Sequence, residues 1–291
     1  MTTKERRRGR DRSDVRKDPD IVYTDPKPFR RNRFILHIVT VVAVVLALVF
    51  GMAIFFKVKD VKVSGSDKYT AYEVSQASGI KTGDNLLTLN RASISGKIFH
   101  ALPYVKSVRI SITLPDTVNI QIEEYSVYYA LQSTDESWWL IGADAKVLKK
   151  ITEADAAGHT KITGVRITDP KPGYIATAEE PVSEETLENG ETVPVTVYGK
   201  ERLKAVTDIL TQLERNGILD KIKLLDVSDI NAIELWRGER FVVYVGDASQ
   251  PDKKILALKA YFEQFGYDTE AKVDVTLTTN KDGCLFEIWD K

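Results

Sequence analysis

Residues 34–56 (FILHIVTVVAVVLALVFGMAIFF) form an apolar run without a charged residue. As a helix rising ~1.5 Å per residue the run extends about 34 Å, enough to cross the hydrocarbon core of a bilayer with some tilt. A cleaved signal peptide has an apolar region of only ~7–15 residues that ends in small residues. This run is longer and ends in Phe55 and Phe56. We therefore predict an uncleaved transmembrane helix over 34–56.

Alternation of apolar and polar positions marks the stretch HALPYVKSVRISITLPDTVNIQIEE, residues 100–124. It continues on both sides of Pro115 and Asp116, which predicts a β-hairpin with one apolar face and a turn preset by proline. The predicted apolar face contains Val108, Ile110, Ile112, Leu114, Val118, Ile120 and Ile122.

The segment before the hairpin predicts one strand and two helices. Val58–Val63 alternates like a short strand and ends near Gly65. Thr70 and Glu73 have the spacing of a capping box that opens a helix over about 70–77. Asn90 can cap a second helix that Pro103 ends. The predicted order over 57–125 is therefore β-α-α-β-β.

The remaining sequence, 126–291, predicts a mixed α/β domain. Helical periodicity over 199–216 places Leu203, Val206, Ile209, Leu210 and Leu213 on one inward face. A second helix at about 252–265 is predicted to present Ile255, Leu256, Leu258, Ala260, Tyr261 and Phe265. Strand-like stretches between and after them end in CLFEIW, a predicted C-terminal edge strand, whereas 169–196 is predicted to be an exposed acidic loop or irregular excursion. The fold class is α+β.

Charge is distributed unevenly along the chain. Residues 1–33 contain 12 Lys/Arg and 6 Asp/Glu, although the whole chain has a net charge of −1. Arg30, Arg31 and Arg33 adjoin the apolar run, so the positive-inside rule places the N-terminus in the cytoplasm and residues 57–291 outside. The charged head has few apolar residues, which predicts a basic, disordered cytoplasmic tail over 1–33.

Residues with catalytic or metal-binding chemistry are few and scattered. None of His37, His100 and His159 has a metal-ligand partner at i+3 or i+4. The single cysteine, Cys284, excludes a disulfide within the chain and is predicted to pack in a strand. No G-x-S-x-G, S-x-x-K or P-loop motif is present. We therefore predict no catalysis, no metal or cofactor, and neither a nucleic acid nor a small-molecule substrate.

Paired residues also have structural explanations. The adjacent carboxylates Glu123-Glu124 and Glu184-Glu185 would point to opposite faces of a strand, unlike the facing pair of a glycosidase. Only one indole of Trp138-Trp139 can face outward from a strand, which favours core packing or an interface over carbohydrate stacking.

Three segments resemble the membrane-proximal POTRA domain of the FtsQ/DivIB cell-division family: FKVKDVKVSGSDKYTAYEV, SGIKTGDNLLTLNRASISGKI and PYVKSVRISITLPDTVNIQIEE. The order of basic tail, anchor and POTRA domain resembles the family too. Further along, WWLIGADAKVLKK and LLDVSDINAIELWRGERFVVYVGD are similar to parts of the family's β domain. The expected domains are tail 1–33, transmembrane helix 34–56, POTRA domain 57–125 and β domain 126–291.

This resemblance implies a non-enzymatic bitopic scaffold of the divisome in the cell membrane, concentrated at the division septum. It implies partners of the FtsL and FtsB/DivIC types, received by the C-terminal part of the β domain through strand addition. A second contact surface is expected on the POTRA domain, near its outer hairpin edge or toward the membrane. The expected partner-binding residues are Val273, Val275, Leu277, Leu285, Glu287 and Trp289.

Two alternatives from other classes stay open on the residues alone. One is a membrane-anchored cell-wall enzyme with an unrecognised site, and the other is a POTRA-type polypeptide-transport component. An enzyme loses function when a single polar residue is removed. A scaffold loses function when an edge strand or an interface is changed.

Overall fold

A computed structural model of the 291-residue chain describes residues 31–178, 183–186, 192–195, 198–238, 241–266 and 272–276, with 31–32, 183–186 and 192–195 described as backbone alone. Most of the predicted tail, 1–33, lies outside these residues. The apolar run forms helix α1, Arg31–Phe55, which is long and apolar enough to cross a membrane. Its polar side chains are satisfied locally, because Thr40 Oγ1 donates to the carbonyl oxygen of Leu36 (2.8 Å) and His37 Nδ1 lies 2.7 Å from that of Arg33.

The segment that follows α1 has the predicted β-α-α-β-β order. It comprises β1 (Asp60–Ser64), α2 (Ala71–Ser78), α3 (Arg91–Ala101), β2 (Val105–Thr113) and β3 (Thr117–Glu124), with a 3-10 turn at Leu86–Thr88. The sheet order is β1-β3-β2, with β1 parallel and β2 antiparallel to β3. Thr70 and Glu73 form the predicted capping box, and Asn90 accepts from the Ser93 N–H.

The hairpin of β2 and β3 confirms the predicted apolar face except at its tip. Val108 lies opposite Ile122, Ile110 opposite Ile120, and Ile112 opposite Val118. The prediction for Leu114 was wrong, because its side chain is 56% exposed. Thr113 and Thr117 are the last paired residues, so Leu114 already belongs to the turn and no longer follows the alternation of the strand.

The second part of the chain is built on an eight-stranded sheet of order β13-β12-β11-β10-β7-β4-β5-β6. The strands are β4 (Tyr129–Ser133), β5 (Trp138–Ile141), β6 (Val147–Ile151), β7 (Thr160–Ile167), β10 (Leu224–Asp226), β11 (Ile233–Trp236), β12 (Val242–Gly246) and β13 (Lys272–Asp274). Helices α4 (Glu153–Ala156), α5 (Gly199–Asn216) and α6 (Pro251–Phe265) and a 3-10 turn at Leu219–Lys221 complete it. The apolar faces of α5 and α6 share one core with the sheet.

Two predictions in this part need correction. The segment 169–196 contains an antiparallel pair of short strands, β8 (Ser183–Thr186) and β9 (Thr192–Val195), where a loop was expected. The predicted face of α5 is buried throughout, whereas α6 buries a different face from the one predicted. Leu256, Ala260 and Phe265 are exposed and Phe262 is buried, because the buried stripe follows Ile255, Leu258 and Phe262 at spacings of three and four residues.

A buried lysine joins the two sheets, which lie in one compact unit from Ala53 onward. Lys146, just before β6, is 0% exposed, and its Nζ donates to the carbonyl oxygens of Val105 (2.7 Å) and Leu102 (3.2 Å). The same Nζ lies 3.6 Å from the centroid of the Phe99 ring. Since Leu102 caps the C-terminus of α3, the cation lies where the helix dipole favours positive charge.

Further polar contacts surround Lys146. Tyr125 directly follows β3, and its hydroxyl lies 2.7 Å from each carboxylate oxygen of Asp144. A Cβ at Gly142 would lie 2.4 Å from the Tyr125 ring, so only glycine fits there. Lys106 on β2 pairs with Glu214 on α5 at 2.9 Å. We call Phe99, Leu102, Val105, Tyr125, Asp144 and Lys146 the joint.

The joint predicts a specific pH dependence of stability. Burial lowers the pKa of Lys146 to about 8, below the ordinary 10.5 of a lysine. Between these values the unfolded chain binds more protons than the folded chain, so this residue makes the free energy of unfolding rise with pH. From pH 7.5 to 9.5 we expect the wild type to gain about 2 kcal/mol relative to Lys146→Met. Urea unfolding of the full chain in detergent micelles, followed by tryptophan fluorescence, measures the difference.

The matched control is Lys149→Met, which removes an exposed lysine from β6, the strand that directly follows Lys146. It should keep the pH dependence of the wild type. An equal pH dependence in the wild type and Lys146→Met would contradict the burial of a charged lysine at the joint.

Candidate partner-binding site

The predicted partner site begins at β13, the end strand of the large sheet in the part of the chain that the structure describes. β13 runs parallel to β12, with Val243 opposite Val273 and Tyr244 opposite Asp274. The Val275 N–H donates to the carbonyl oxygen of Tyr244 at 3.0 Å. The strand predicted from KVDVTL is therefore present.

The side chains of Val273 and Val275 do not face a partner. They are 1% and 0% exposed and belong to the core of the large sheet. A partner on β13 would have to bind its main chain, since these two side chains already pack inward. The other four predicted residues, Leu277, Leu285, Glu287 and Trp289, lie outside the described residues, as does Cys284.

The alternating hydrogen bonds between β12 and β13 show which main-chain groups of β13 face outward. In a parallel pair, alternate residues direct both their N–H and C=O toward the same neighbour. Val275 donates toward β12, so Asp274 directs its main-chain groups to the opposite edge. The Asp274 carboxylate accepts from the Thr276 N–H (2.7 Å) and from the Thr276 hydroxyl, which fixes the end of the strand. The edge is thus short and held in an extended conformation.

Gly246, the last residue of β12, allows β13 to pack closely. Its φ is +69°, and a Cβ there would lie 2.6 Å from the Thr276 methyl group. A side chain at this position would both strain the backbone and displace Thr276. Gly246 has no local signal in the sequence, because the contact depends on a residue 30 positions away.

A buried lysine, paired with a half-exposed aspartate, supports the adjacent helix α6. The Lys254 side chain is 4% exposed, and its Nζ donates to Asp247 Oδ1 (2.6 Å) and to the Asp247 carbonyl oxygen (2.8 Å). The hydrogen bond from Lys254, with a second from Ser249, lowers the pKa of Asp247 to about 2. Lys254 thereby ties the start of α6 to the loop after β12. The signal for it was a lysine on the apolar side of a predicted helix.

A separate cavity of about 430 Å³ lies between β4, β5, β7 and α5. Trp138 and Arg202 line it, and Arg202 Nη1 donates to the Gly164 carbonyl oxygen at 3.0 Å. Trp139 packs on the core instead, so the two neighbouring indoles point to different sides of β5. The described lining contains no His, Cys, Asp or Glu, and the described residues contain no group of three such side chains placed to hold a metal ion.

Comparison with known proteins identifies the first part of the chain. Residues 56–125 match the model of the "POTRA domain, FtsQ-type" family, which covers the segment β1 to β3. The chain is 33% identical over 97 residues to the cell division protein FtsQ of Corynebacterium glutamicum, in an alignment covering 32% of this chain and 43% of that protein. The first part of the chain is thus similar to the FtsQ-type POTRA domain of cell division proteins.

Longer alignments extend this similarity into the second part of the chain. The cell division protein DivIB of Clostridium acetobutylicum is 23% identical over 226 residues, which cover 78% of this chain and 82% of the relative. DivIB of Bacillus subtilis is 28% identical over 126 residues, or 43% and 48% of the two chains. The alignments thus span less than half of the corynebacterial and Bacillus proteins and about four fifths of the clostridial one. The resemblance to FtsQ/DivIB proteins predicted from the sequence is confirmed, and the predicted anchor is a helix long and apolar enough to cross a membrane.

Gly246 provides a test of how β13 is held. We expect Gly246→Ala to accelerate amide exchange over residues 272–276 by about tenfold or more, because displacing Thr276 costs ~1–3 kcal/mol. Gly238→Ala is the matched control, since Gly238 also has a positive φ, of +73°, but no atom lies within 4 Å of an added Cβ. Hydrogen–deuterium exchange of the full chain measures both. Equal exchange in the two variants would show that Gly246 does not position β13.

Proposed function

We propose that this chain is a non-enzymatic, bitopic scaffold of the divisome that binds other membrane division proteins outside the cytoplasm and so supports septum formation. One observation carries the proposal: an FtsQ-type POTRA domain starts at residue 56, directly after a helix able to cross a membrane that ends at Phe55. Relatives named as cell division proteins extend the likeness to both parts of the chain.

The charge pattern supports the orientation that we propose. Arg30, Arg31 and Arg33 adjoin the cytoplasmic end of the helix, while Lys57 and Lys59 follow its other end together with Asp60. Residues 57–291 would then face the outside of the cell. Partners that are themselves anchored in the membrane would meet this part of the chain near the bilayer, and we expect the protein at the division septum.

For the partners we propose proteins of the FtsL and FtsB/DivIC types, bound by strand addition at the C-terminal strands of the large sheet. In this mode main-chain hydrogen bonds give affinity and alternate side chains give selectivity. The outward N–H and C=O groups of Asp274 can make such main-chain hydrogen bonds, whereas the side chains of Val273 and Val275 are already buried. Leu285, Glu287 and Trp289 are the proposed source of selectivity, with Trp289 as the anchor because aromatic residues often dominate binding energy.

The test of this binding mode uses one position with two substitutions. Asp274→Pro removes an N–H that faces away from β12, and proline is tolerated on edge strands, so the fold should persist. We expect it to weaken binding of FtsL- and DivIC-type ectodomains by about tenfold or more, because a partner carbonyl loses its donor. Asp274→Ala keeps the N–H and removes only the carboxylate that caps Thr276, so affinity should stay near that of the wild type.

Binding is measured with the full chain in nanodiscs, alongside Trp289→Ala as a second probe of the terminal strands. Loss in Asp274→Pro with retention in Asp274→Ala supports strand addition at β13. Loss in Trp289→Ala alone places the partner farther along the chain. Wild-type affinity in both Asp274→Pro and Trp289→Ala, with unchanged circular dichroism, would rule out the proposed site.

A further inference from the structure

We propose that the end of the POTRA domain nearest the anchor rests on the outer leaflet of the same bilayer through two exposed leucines, Leu87 and Leu114. This inference rests on the proposed anchor and extends the membrane contact from the helix to the folded domain. We call Leu87, Leu114, Lys57 and Lys81 the membrane pole. The leucines are 53% and 56% exposed, although each neighbours a well-packed element of the POTRA core.

The pairing of Lys57 with Asn85 places Leu87 near the end of α1. Lys57 pairs with Asn85 in an antiparallel bridge, and the Leu86 N–H donates to the carbonyl oxygen of Phe56 at 2.9 Å. Leu87 follows Leu86, and Phe55, the last residue of α1, precedes Phe56, so each is one residue from this hydrogen bond. With about 5 Å between the Cα atoms of the bonded residues and about 3.8 Å for each further residue, the Leu87 and Phe55 Cα atoms lie within roughly 13 Å of each other.

The parallel pairing of β1 and β3 places Leu114 at the same end of the domain. Asp60 lies opposite Thr117, and the Lys59 N–H donates to the Asp116 carbonyl oxygen at 2.8 Å. Thr113 lies opposite Thr117, so Leu114 is the first residue of the turn and lies about level with Lys59. The turn that exposes Leu114 is therefore at the end of the domain where the chain leaves α1. Two separate sets of contacts place both leucines near residues 55–59.

Charges at the pole are arranged to tolerate a lipid surface. Lys59 pairs with Asp116 at 3.1 Å, and the hydrogen bond from Lys59 lowers the pKa of that carboxyl. The Asp84 carboxylate accepts from the Lys81 N–H at 2.9 Å. Lys57 and Lys81 are exposed and make no ion pair within the described residues, so both ammonium groups can reach headgroup phosphates. Apolar side chains flanked by lysines are typical of interfacial membrane contact.

The opposite end of the domain supplies a natural control. Tyr72 is 72% exposed, but it lies in the first turn of α2, close to Ser66 and Lys68, which bind the Glu124 carboxylate at the far end of β3. Since β3 has eight residues, this end is about 25 Å from the pole. Tyr72 is thus an exposed apolar residue of the same domain that we expect to stay in water, away from the membrane.

The experiment places an environment-sensitive fluorophore on single cysteines of the full chain, in a Cys284→Ser background, reconstituted alone into vesicles that contain nitroxide-labelled lipids. Labels go at Thr88, beside Leu87, at Ala71, beside Tyr72, and at Val45, within the apolar helix. A group at the headgroup boundary lies ~5–10 Å into the interface, so we expect quenching at Thr88 at least about twofold stronger than at Ala71. The Thr88 label should lose this quenching in Leu87→Asp/Leu114→Asp and keep it in Tyr72→Asp.

Each outcome has one meaning. Strong quenching at Val45 with equal, weak quenching at Thr88 and Ala71 would overturn the membrane pole while leaving the anchor intact. Weak quenching at Val45 would remove the anchor and the pole together. Quenching at Thr88 that persists in Leu87→Asp/Leu114→Asp would show that the leucines do not hold the domain on the lipid, and would also overturn the inference.

Discussion

The buried ammonium group of Lys146 is the contact on which the arrangement of the two sheets depends. Its two carbonyl acceptors and the ring of Phe99 all come from the C-terminal end of α3 and the chain that enters β2. An unpaired charge in such a site is costly, so the lysine fixes the distance between α3 and β6 far more strictly than apolar packing alone. The Tyr125–Asp144 and Lys106–Glu214 contacts then limit rotation about that point. The scaffold role that we propose needs this rigidity, because a flexible link would not hold a distant edge strand at a defined place.

Strand β3 connects this joint to the other end of the POTRA domain. It is the central strand of its sheet, pairs with both β1 and β2, begins beside Lys59 and ends beside Tyr125. One end of the domain is therefore set by the exit of the chain from α1, and the other by the joint to the large sheet. Ile120 and Val118, both fully buried, hold the helices on this strand. The POTRA domain is thus a spacer of fixed length, with the exit of the chain from α1 at one end and the joint at the other.

Local patterns in the sequence predicted most of the elements, since caps, alternation and helical periodicity act over a few residues. The Thr70–Glu73 capping box and the inward face of the hairpin are examples. The errors arose where a longer-range constraint prevailed. Leu114 follows the alternation of β2 but belongs to the turn, and the face of α6 is set by its packing and by Lys254 at its start.

The contacts that position the candidate site could not be predicted in this way. Lys146 was part of a stretch similar to the β domain of the family, yet its partners are more than 40 residues away, and Gly246 meets Thr276 after an intervening helix. The family resemblance pointed to the terminal strands, while only the structure showed that Val273 and Val275 are buried. The alternation of apolar and polar residues alone does not show which face of an end strand packs against the core.

The most direct measurement of the central claim, that the chain is a division scaffold anchored in the membrane, is the position of the protein in dividing cells. A fluorescent protein fused to the N-terminus, on the side that we assign to the cytoplasm, avoids the part of the chain proposed to bind partners. We expect a band at mid-cell in cells that are about to divide. A uniform signal around the envelope at every stage of the cell cycle would contradict it.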